Sequence, residues 1–408
     1  MAQRILQTSF KKIIFIPLAL NIIQNCRSSN SLITKAFSLY SSGIKGTMEQ
    51  EKGIHVIDVR SDTVTKPTPE MRQVMANAEV GDDVFGEDPS INSLQEKSAK
   101  LLGKEAGLFV PSGSMGNIIS IMAHCPHRGD EILVGDKSHI CIWEQGSCSQ
   151  IAGVHSRQIY THPNGELDLE DMKSKIYDGQ DDHFTHTKLI CLEQTHNYSG
   201  GSVLSLPYLE KVKEIATVNN LSLHMDGARL FNAVAALGVP AAEVTKHMDS
   251  VTFCLSKALG APVGSVIVGS KEFIARCHRH RKALGGGMRQ AGIIAAAGIY
   301  ALDNIAPKLV EDHTNTNRLV QGLMKLKGID VDPKEIQSNM VYLNVTHDSL
   351  TANDIVHGMG TCSDNEPRKV IVKLLAISAR RIRIVFHHQV QSNDVELIIN
   401  KLRYILQS

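Results

Sequence analysis

From about residue 89 to 300 the chain alternates two kinds of periodicity. Short apolar runs, "GLFV" (107–110), "KLICLE" (188–193), "LSLHMD" (221–226) and "SVTFCLS" (250–256), read as strands buried on both faces. Between them lie segments of helical period, such as 92–103 and the amphipathic "YLEKVKEIATVNN" (208–220). After "GLFV" comes a small-residue turn, "PSGSMGN", and then an apolar helix to about residue 124. This alternation predicts the α/β class, with helices packed on a largely parallel sheet. The run "GSVIVG" (264–269) follows "SVTFCLS" too closely for a parallel crossover, which needs about a dozen residues, so it is expected to run antiparallel.

Beyond the glycine-rich "LGGGMRQAG" and the helix "IIAAAGIYAL" the pattern changes. From about 306 a long helix, a strand "MVYLNV", a helix near 353, a strand "RIRIVF" and a helix from about 392 read as a smaller α+β domain. The organisation expected is therefore a large domain over 49–305, including an N-terminal arm, and a small one over 306–408. Within the latter, "GMGTCSDNEPRKVIVKLL" (358–375) shows the least pattern and is expected to be a loop insertion.

Composition narrows the function classes. With 43 Lys and Arg against 42 Asp and Glu there is no basic field for nucleic acid. The 8 cysteines are scattered without C-x-x-C spacing, as expected of reduced intracellular thiols, and no metal site is expected. Residues 1–48 differ from the rest: they contain no acid, while Arg4, Lys11, Lys12, Arg27, Lys35 and Lys45 are spread among serines and apolar residues. That is the composition of a mitochondrial transit peptide. The lysine pair before "IIFIPLALNII" leaves secretion open, and Met48 offers a start for a cytosolic form. The apolar run is too short to span a bilayer, so no membrane is expected for the mature form.

In open α/β sheets ligands bind beyond the carboxyl ends of the strands. After "GLFV", Ser112, Gly113 and Ser114 open a helix whose free N–H groups suit a phosphate. After "LSLHM" comes Asp226, which could cap a helix or hold the proton of a pyridinium nitrogen, with Arg229 placed for a ring oxygen. After "SVTFCLS" comes Lys257, a lone lysine in an apolar run. Burial favours the neutral amine, which attacks a carbonyl. Phosphate cradle, pyridinium acid and imine-forming lysine, in that order, point to pyridoxal 5'-phosphate.

The stretches "IDVRSDTVTKPTPEM", "EVGDDVFGEDPSINSLQ", "FVPSGSMGN", "EQTHNYSGG", "HMDGARLFNA", "CLSKALGAPVGSVIVG" and "KALGGGMRQAGIIAAAGIYAL" resemble the L-threonine aldolase family from about residue 56 to 300. The resemblance returns at "RIRIVFHHQV" and "SNDVE". It implies a fold-type I, aminotransferase-like pyridoxal phosphate enzyme with a mostly parallel seven-stranded sheet. Such enzymes cleave L-threonine or L-allo-threonine to glycine and acetaldehyde. It implies a homotetramer, a dimer of dimers with shared active sites. Carried over by position, it makes Lys257 the Schiff-base lysine, Asp226 the pyridine-nitrogen partner and Arg229 a ring-oxygen contact. It would have Gly113 and Ser114 bind phosphate, with Arg289 of a neighbouring subunit, and His139 stack on the ring. By the same resemblance Ser61 and Arg383 match groups that hold the substrate carboxylate. Phe85 and Tyr198 depart from many relatives, which carry tyrosine at the first position and, in some, arginine at the second. The base for the β-hydroxyl is left open among His139, His196 and a water held by either. Transamination and β-elimination are rival reactions at this cofactor, and a non-catalytic binding relative is the rival from another class.

Overall fold

Short strands, the central ones buried end to end, organise the chain. In the computed structural model, which describes residues 53–363 and 365–407, they are β1 (His55–Asp58), β2 (Ala106–Val110), β3 (Asp130–Gly135), β4 (His155–Ile159), β5 (His186–Glu193), β6 (Ser222–Asp226), β7 (Ser250–Cys254), β8 (Ser265–Gly269), β9 (Ile329–Asp330), β10 (Met340–Val345), β11 (Val370–Lys373), β12 (Leu375–Ser378) and β13 (Arg381–Val385). Every residue of β3, β7 and β8 is buried, as expected of strands covered on both faces. The expected targeting segment, residues 1–48, lies outside the described residues.

Seven strands form one sheet in the order β2-β8-β7-β6-β5-β3-β4. Strand β8 pairs antiparallel with β2 and β7, and the remaining pairs are parallel. The sheet is thus mostly parallel, with the reversed strand where the short connection required one. Alternate residues supply the two faces. Leu108 and Val110 of β2 pack with Ile118, Ile119 and Ile267, whereas Phe109 packs into the opposite cluster with Leu133, Leu223 and Phe253. Phe109 and Phe253 are wholly buried, each stabilising the fold by roughly 1.5–3 kcal/mol relative to exposure.

A second, antiparallel sheet runs β12-β13-β10-β9, with Tyr342 opposite Arg383 and Asn344 opposite Arg381. The helices Leu309–Leu323, Ala352–Met359 and Ser392–Gln407 pack around it. The region 358–380 is not a loop throughout. It carries β11 and β12, with Val370, Ile371 and Val372 buried. The charged and turn-forming residues up to Lys369 mask the short strand that follows them. The described residues fall into two compact units. The larger, Ile57–Glu366 with the chain from Val372 onward, holds every site residue, and the smaller comprises Pro367–Ile371 and the segment ending at Val56.

Candidate active site

Strands β2, β3, β5, β6 and β7 point the same way, and the residues just past their carboxyl ends converge. Asp226 closes β6 and is buried. Its Oδ1 accepts the Ala228 N–H at 3.0 Å, and its Oδ2 accepts from Asn117 Nδ2 at 2.9 Å. The same amide nitrogen donates to Glu144 Oε1 at 2.8 Å, and Glu144 Oε1 lies 2.9 Å from His139 Nδ1. A hydrogen-bonded chain therefore runs Asp226, Asn117, Glu144, His139.

This chain sets the imidazole. A carboxylate partner needs a donor, which assigns the His139 proton to Nδ1 and leaves Nε2 to take or give a proton. Burial works against the imidazolium, but the Glu144 hydrogen bond and the charges of Asp226 and Glu144 outweigh it, so His139 holds its second proton to higher pH than an ordinary histidine. Burial also pushes the Glu144 carboxyl up, against the hydrogen bonds from His139 and Asn117, and Glu144 Oε2 is buried without a partner. Glu193, at the end of β5, fixes two backbones at once: Oε2 accepts the His139 N–H at 2.6 Å and Oε1 the Asn197 N–H at 2.8 Å.

Lys257 follows β7 in a loop tied down at both ends. Its carbonyl accepts from Gly260 N at 2.8 Å and from Thr65 Oγ1 at 2.9 Å, and Leu255 N donates to Gly264 O at 3.0 Å. Its neighbours Leu255, Ala258 and Leu259 are buried while Lys257 itself is half-buried. The apolar run thus anchors the loop and leaves the lysine at the cleft. Opposite it the helix Gly113–His124 begins at Gly113, so the expected turn is already helix. Ser112 Oγ accepts the Met115 N–H at 3.2 Å, and among the described residues the N–H groups of Gly113 and Ser114 have no acceptor. The close approach requires glycine, since a Cβ on Gly113 would lie 2.7 Å from Cys254 Sγ.

Two arginines meet at Asn197. Arg229 is buried and forks onto Asp62, Nε to Oδ2 at 2.8 Å and Nη2 to Oδ1 at 2.7 Å, with Nη1 donating to Asn197 Oδ1 at 3.3 Å. Burial opposes the Asp62 carboxylate, yet the Arg229 charge and hydrogen bonds hold it below the usual carboxylate range. The expected ring-oxygen contact is left to what remains of Arg229 Nη1. Arg383, on β13, donates from Nη1 to Asn197 Oδ1 at 3.4 Å and from Nη2 to Arg60 O at 3.2 Å, and its Nε is buried without a partner. Among the described residues no carboxylate lies within ion-pair distance of it. Burial and the Arg229 charge together lower its pKa. An anion there meets a guanidinium that has no ion-pair partner of its own among the described residues.

Ser61 caps the short turn Asp62–Val64 and accepts from Thr63 N at 3.3 Å and Thr63 Oγ1 at 3.0 Å. His196 is buried, and its Nδ1 accepts the Ser199 N–H at 3.3 Å. The neutral ring therefore carries its proton on Nε2, which is buried without a partner. His196 in this tautomer donates from Nε2 and does not accept there. Arg289 is set apart from these groups: its side chain is 61% exposed and pairs with Asp82 at 3.0 Å.

Asn117, Glu144, Glu193, Asp62 and Asn197 escaped the sequence reading. Asn117 did leave a signal, as the amide before "IISIMA" on an apolar helix, where an unpartnered polar group is costly. Asp62, Glu193 and Asn197 each act on a partner distant in sequence, whereas Glu144 stands only five residues from His139.

The residues fit pyridoxal phosphate. Free N–H donors face an anion position at Gly113 and Ser114, a buried carboxylate suits a pyridinium, and an amine stands on a pinned loop. The ligand atoms of His139, Glu144 and Asp226 also lie within 4.8 Å of one another, the spacing of a metal site. The Asn117 NH2 already bridges the two carboxylates as a neutral hydrogen-bond donor.

The family model for beta-eliminating lyases matches residues 58–346. Low-specificity L-threonine aldolase 1 of Arabidopsis thaliana is 48% identical over 346 residues, 84% of this chain and 94% of that protein. Low specificity L-threonine aldolase of Escherichia coli K12 is 44% identical over 297 residues, 73% and 87% of the two chains. Among solved structures, Leishmania major threonine aldolase superposes with a TM-score of 0.71 at 17% identity, covering 86% of this chain and 99% of that one.

Proposed function

The chain belongs to the beta-eliminating lyase family, among the low-specificity L-threonine aldolases, and from that premise we propose that it cleaves L-threonine and L-allo-threonine to glycine and acetaldehyde. The observation that carries the residue assignments is the hydrogen-bonded chain from Asp226 to His139 at the carboxyl ends of the sheet.

Pyridoxal phosphate, when bound, supplies a carbonyl for an amine and an electron sink for the pair left by bond cleavage. Lys257 provides that amine, Asp226 the negative partner of the ring nitrogen, and the N–H groups of Gly113 and Ser114 the phosphate seat. Arg383 grips the substrate carboxylate, and Ser61 borders the same position. With the carboxylate fixed, the Cα–Cβ bond is fixed too. His139 takes the β-hydroxyl proton on Nε2, directly or through one water, and Glu144 steadies the imidazolium that forms. His196 donates from Nε2 to the oxygen that becomes the aldehyde. This division of labour rests on the two tautomers, each set by the partner of Nδ1.

The test is the absorbance spectrum of purified wild type and Lys257→Ala, followed by acetaldehyde release from both threonine diastereomers. A visible cofactor band and acetaldehyde, both lost in the variant, support the reading. Keto acid or ammonia in place of acetaldehyde would move it to transamination or β-elimination.

The assembly we infer is a dimer of dimers in which Arg289 reaches the phosphate seat of a neighbour, supported by its exposure. Mixing inactive Lys257→Ala with Arg289→Ala subunits should then restore activity. The acid-free composition of residues 1–48 supports import into mitochondria, which a fluorescent fusion of that segment would check.

A further inference from the structure

Beside the site lies a cavity of about 410 Å³ whose walls include Tyr198, Lys137, Lys334, Arg381 and Glu335. It far exceeds the methyl group of threonine, since a water takes about 30 Å³ in the liquid. It adjoins the substrate position through three links. Arg381 and Arg383 are two residues apart on β13 and share a face of the sheet. The Arg381 guanidinium lies 4.2 Å from the centre of the Tyr342 ring, whose hydroxyl donates to Asn197 O at 3.0 Å, and Asn197 Oδ1 receives Arg383. Tyr198 and Ser199 belong to the turn that holds His196.

The charge of the cavity is uneven. Lys137, Lys334 and Arg381 face one carboxylate, Glu335, and among the described residues none of the three cations forms an ion pair. Lys137 Nζ donates only to the neutral carbonyl of Thr161, at 3.0 Å, and Arg381 Nε is buried without a partner. With Arg383 on the carboxylate and the two histidines on the hydroxyl, the group attached to Cβ is left to point toward this cavity. We propose that the cavity receives the β-substituent of larger β-hydroxy amino acids and selects substituents that end in a carboxylate. This rests on the aldol reading of the site. For 3-hydroxyglutamate the hydroxyl proton goes to the base, the Cα–Cβ bond breaks, Cβ leaves as the aldehyde of 3-oxopropanoate, and Cα takes a proton to give glycine.

The test compares glycine release by the holoenzyme from L-threonine, 3-hydroxyglutamate and its isosteric amide, 3-hydroxyglutamine. The acid should exceed the amide in kcat/KM by about 10-fold or more, the size expected for a hydrogen-bonded charge pair. Read as the acid-to-amide ratio within each variant, so that any loss relayed through Tyr342 cancels, Lys334→Gln with Arg381→Gln should erase that preference. Lys334→Gln alone, at a solvent-facing position, should reduce it and checks against a folding defect in the pair. Equal rates for acid and amide in wild type, or a preference that survives the double variant, would overturn the proposal. So would activation of threonine cleavage by free succinate, which would mark the cavity as a seat for a separate anion. Failure to cleave L-threonine at all would sink the aldol reading itself, whereas threonine cleavage with acid and amide equal sinks only the selectivity.

Discussion

Arg229 and Arg383 donate to the same atom, Asn197 Oδ1, yet they are held in opposite ways. Arg229 spends its fork on the buried Asp62, whose charge more than offsets the burial of the guanidinium and raises its pKa. Arg383 has two long bonds to neutral oxygens and an unpartnered Nε, and burial beside Arg229 lowers its pKa. The first cation is completed by its own chain and acts as scaffold. The second is completed only by a ligand, and a flat guanidinium next to it in the cleft selects a flat carboxylate. The fold gives each arginine its role through what stands opposite it, since the residue type is the same.

The comparison breaks most visibly at Arg383. Arg383→Ala should cut kcat/KM for L-threonine by roughly 100- to 1,000-fold, the scale for leaving a bound charge without its partner. Arg383→Lys should recover only part of it, because an ammonium lacks the fork. Melting curves of both variants should stay near wild type, as no ion pair within the described residues is lost. An equal loss of stability would make Arg383 another scaffold residue.

Asp62→Asn tests the other half. It strands a buried guanidinium, and the expected cost is about 3–5 kcal/mol of stability, read by urea unfolding. The pH dependence carries a sign. Because the folded state lowers the Asp62 pKa, its contribution is present above the ordinary carboxylate range and disappears as pH falls through the folded value. Wild type should therefore lose stability on acidification more steeply than Asp62→Asn. Parallel curves would mean that Arg229 is neutralised by another group.

What could be read from the linear chain follows the same division. Asp226, Lys257 and Gly113 were legible because each stands at or just past the carboxyl end of a strand, where the pattern itself marks the ligand edge. Asp62 was not, since its partner Arg229 stands 167 residues away and tertiary pairing leaves no local period. The reach of "VIVK" into β11 was hidden by the charged residues before it. The resemblance supplied Arg383 and Ser61, but not the reason Arg383 is available, which is the absence of an opposing acid among the described residues.

The smallest expected effect concerns Glu144, where a carboxylate again stands opposite a cationic group. His139 must shed its second proton before Nε2 can accept one from the substrate, so kcat/KM should rise with pH through the raised His139 pKa. Glu144→Gln keeps a hydrogen-bond acceptor near Nδ1 and removes the charge that favours the imidazolium. The rising limb should then move to lower pH, with the plateau only modestly reduced. An unmoved limb would assign the titration to another group and return the β-hydroxyl proton to a water. A shifted limb with unchanged thermal stability would place Glu144 as a positioning residue that acts on the proton affinity of His139, because a structural role alone leaves the pH profile where it was.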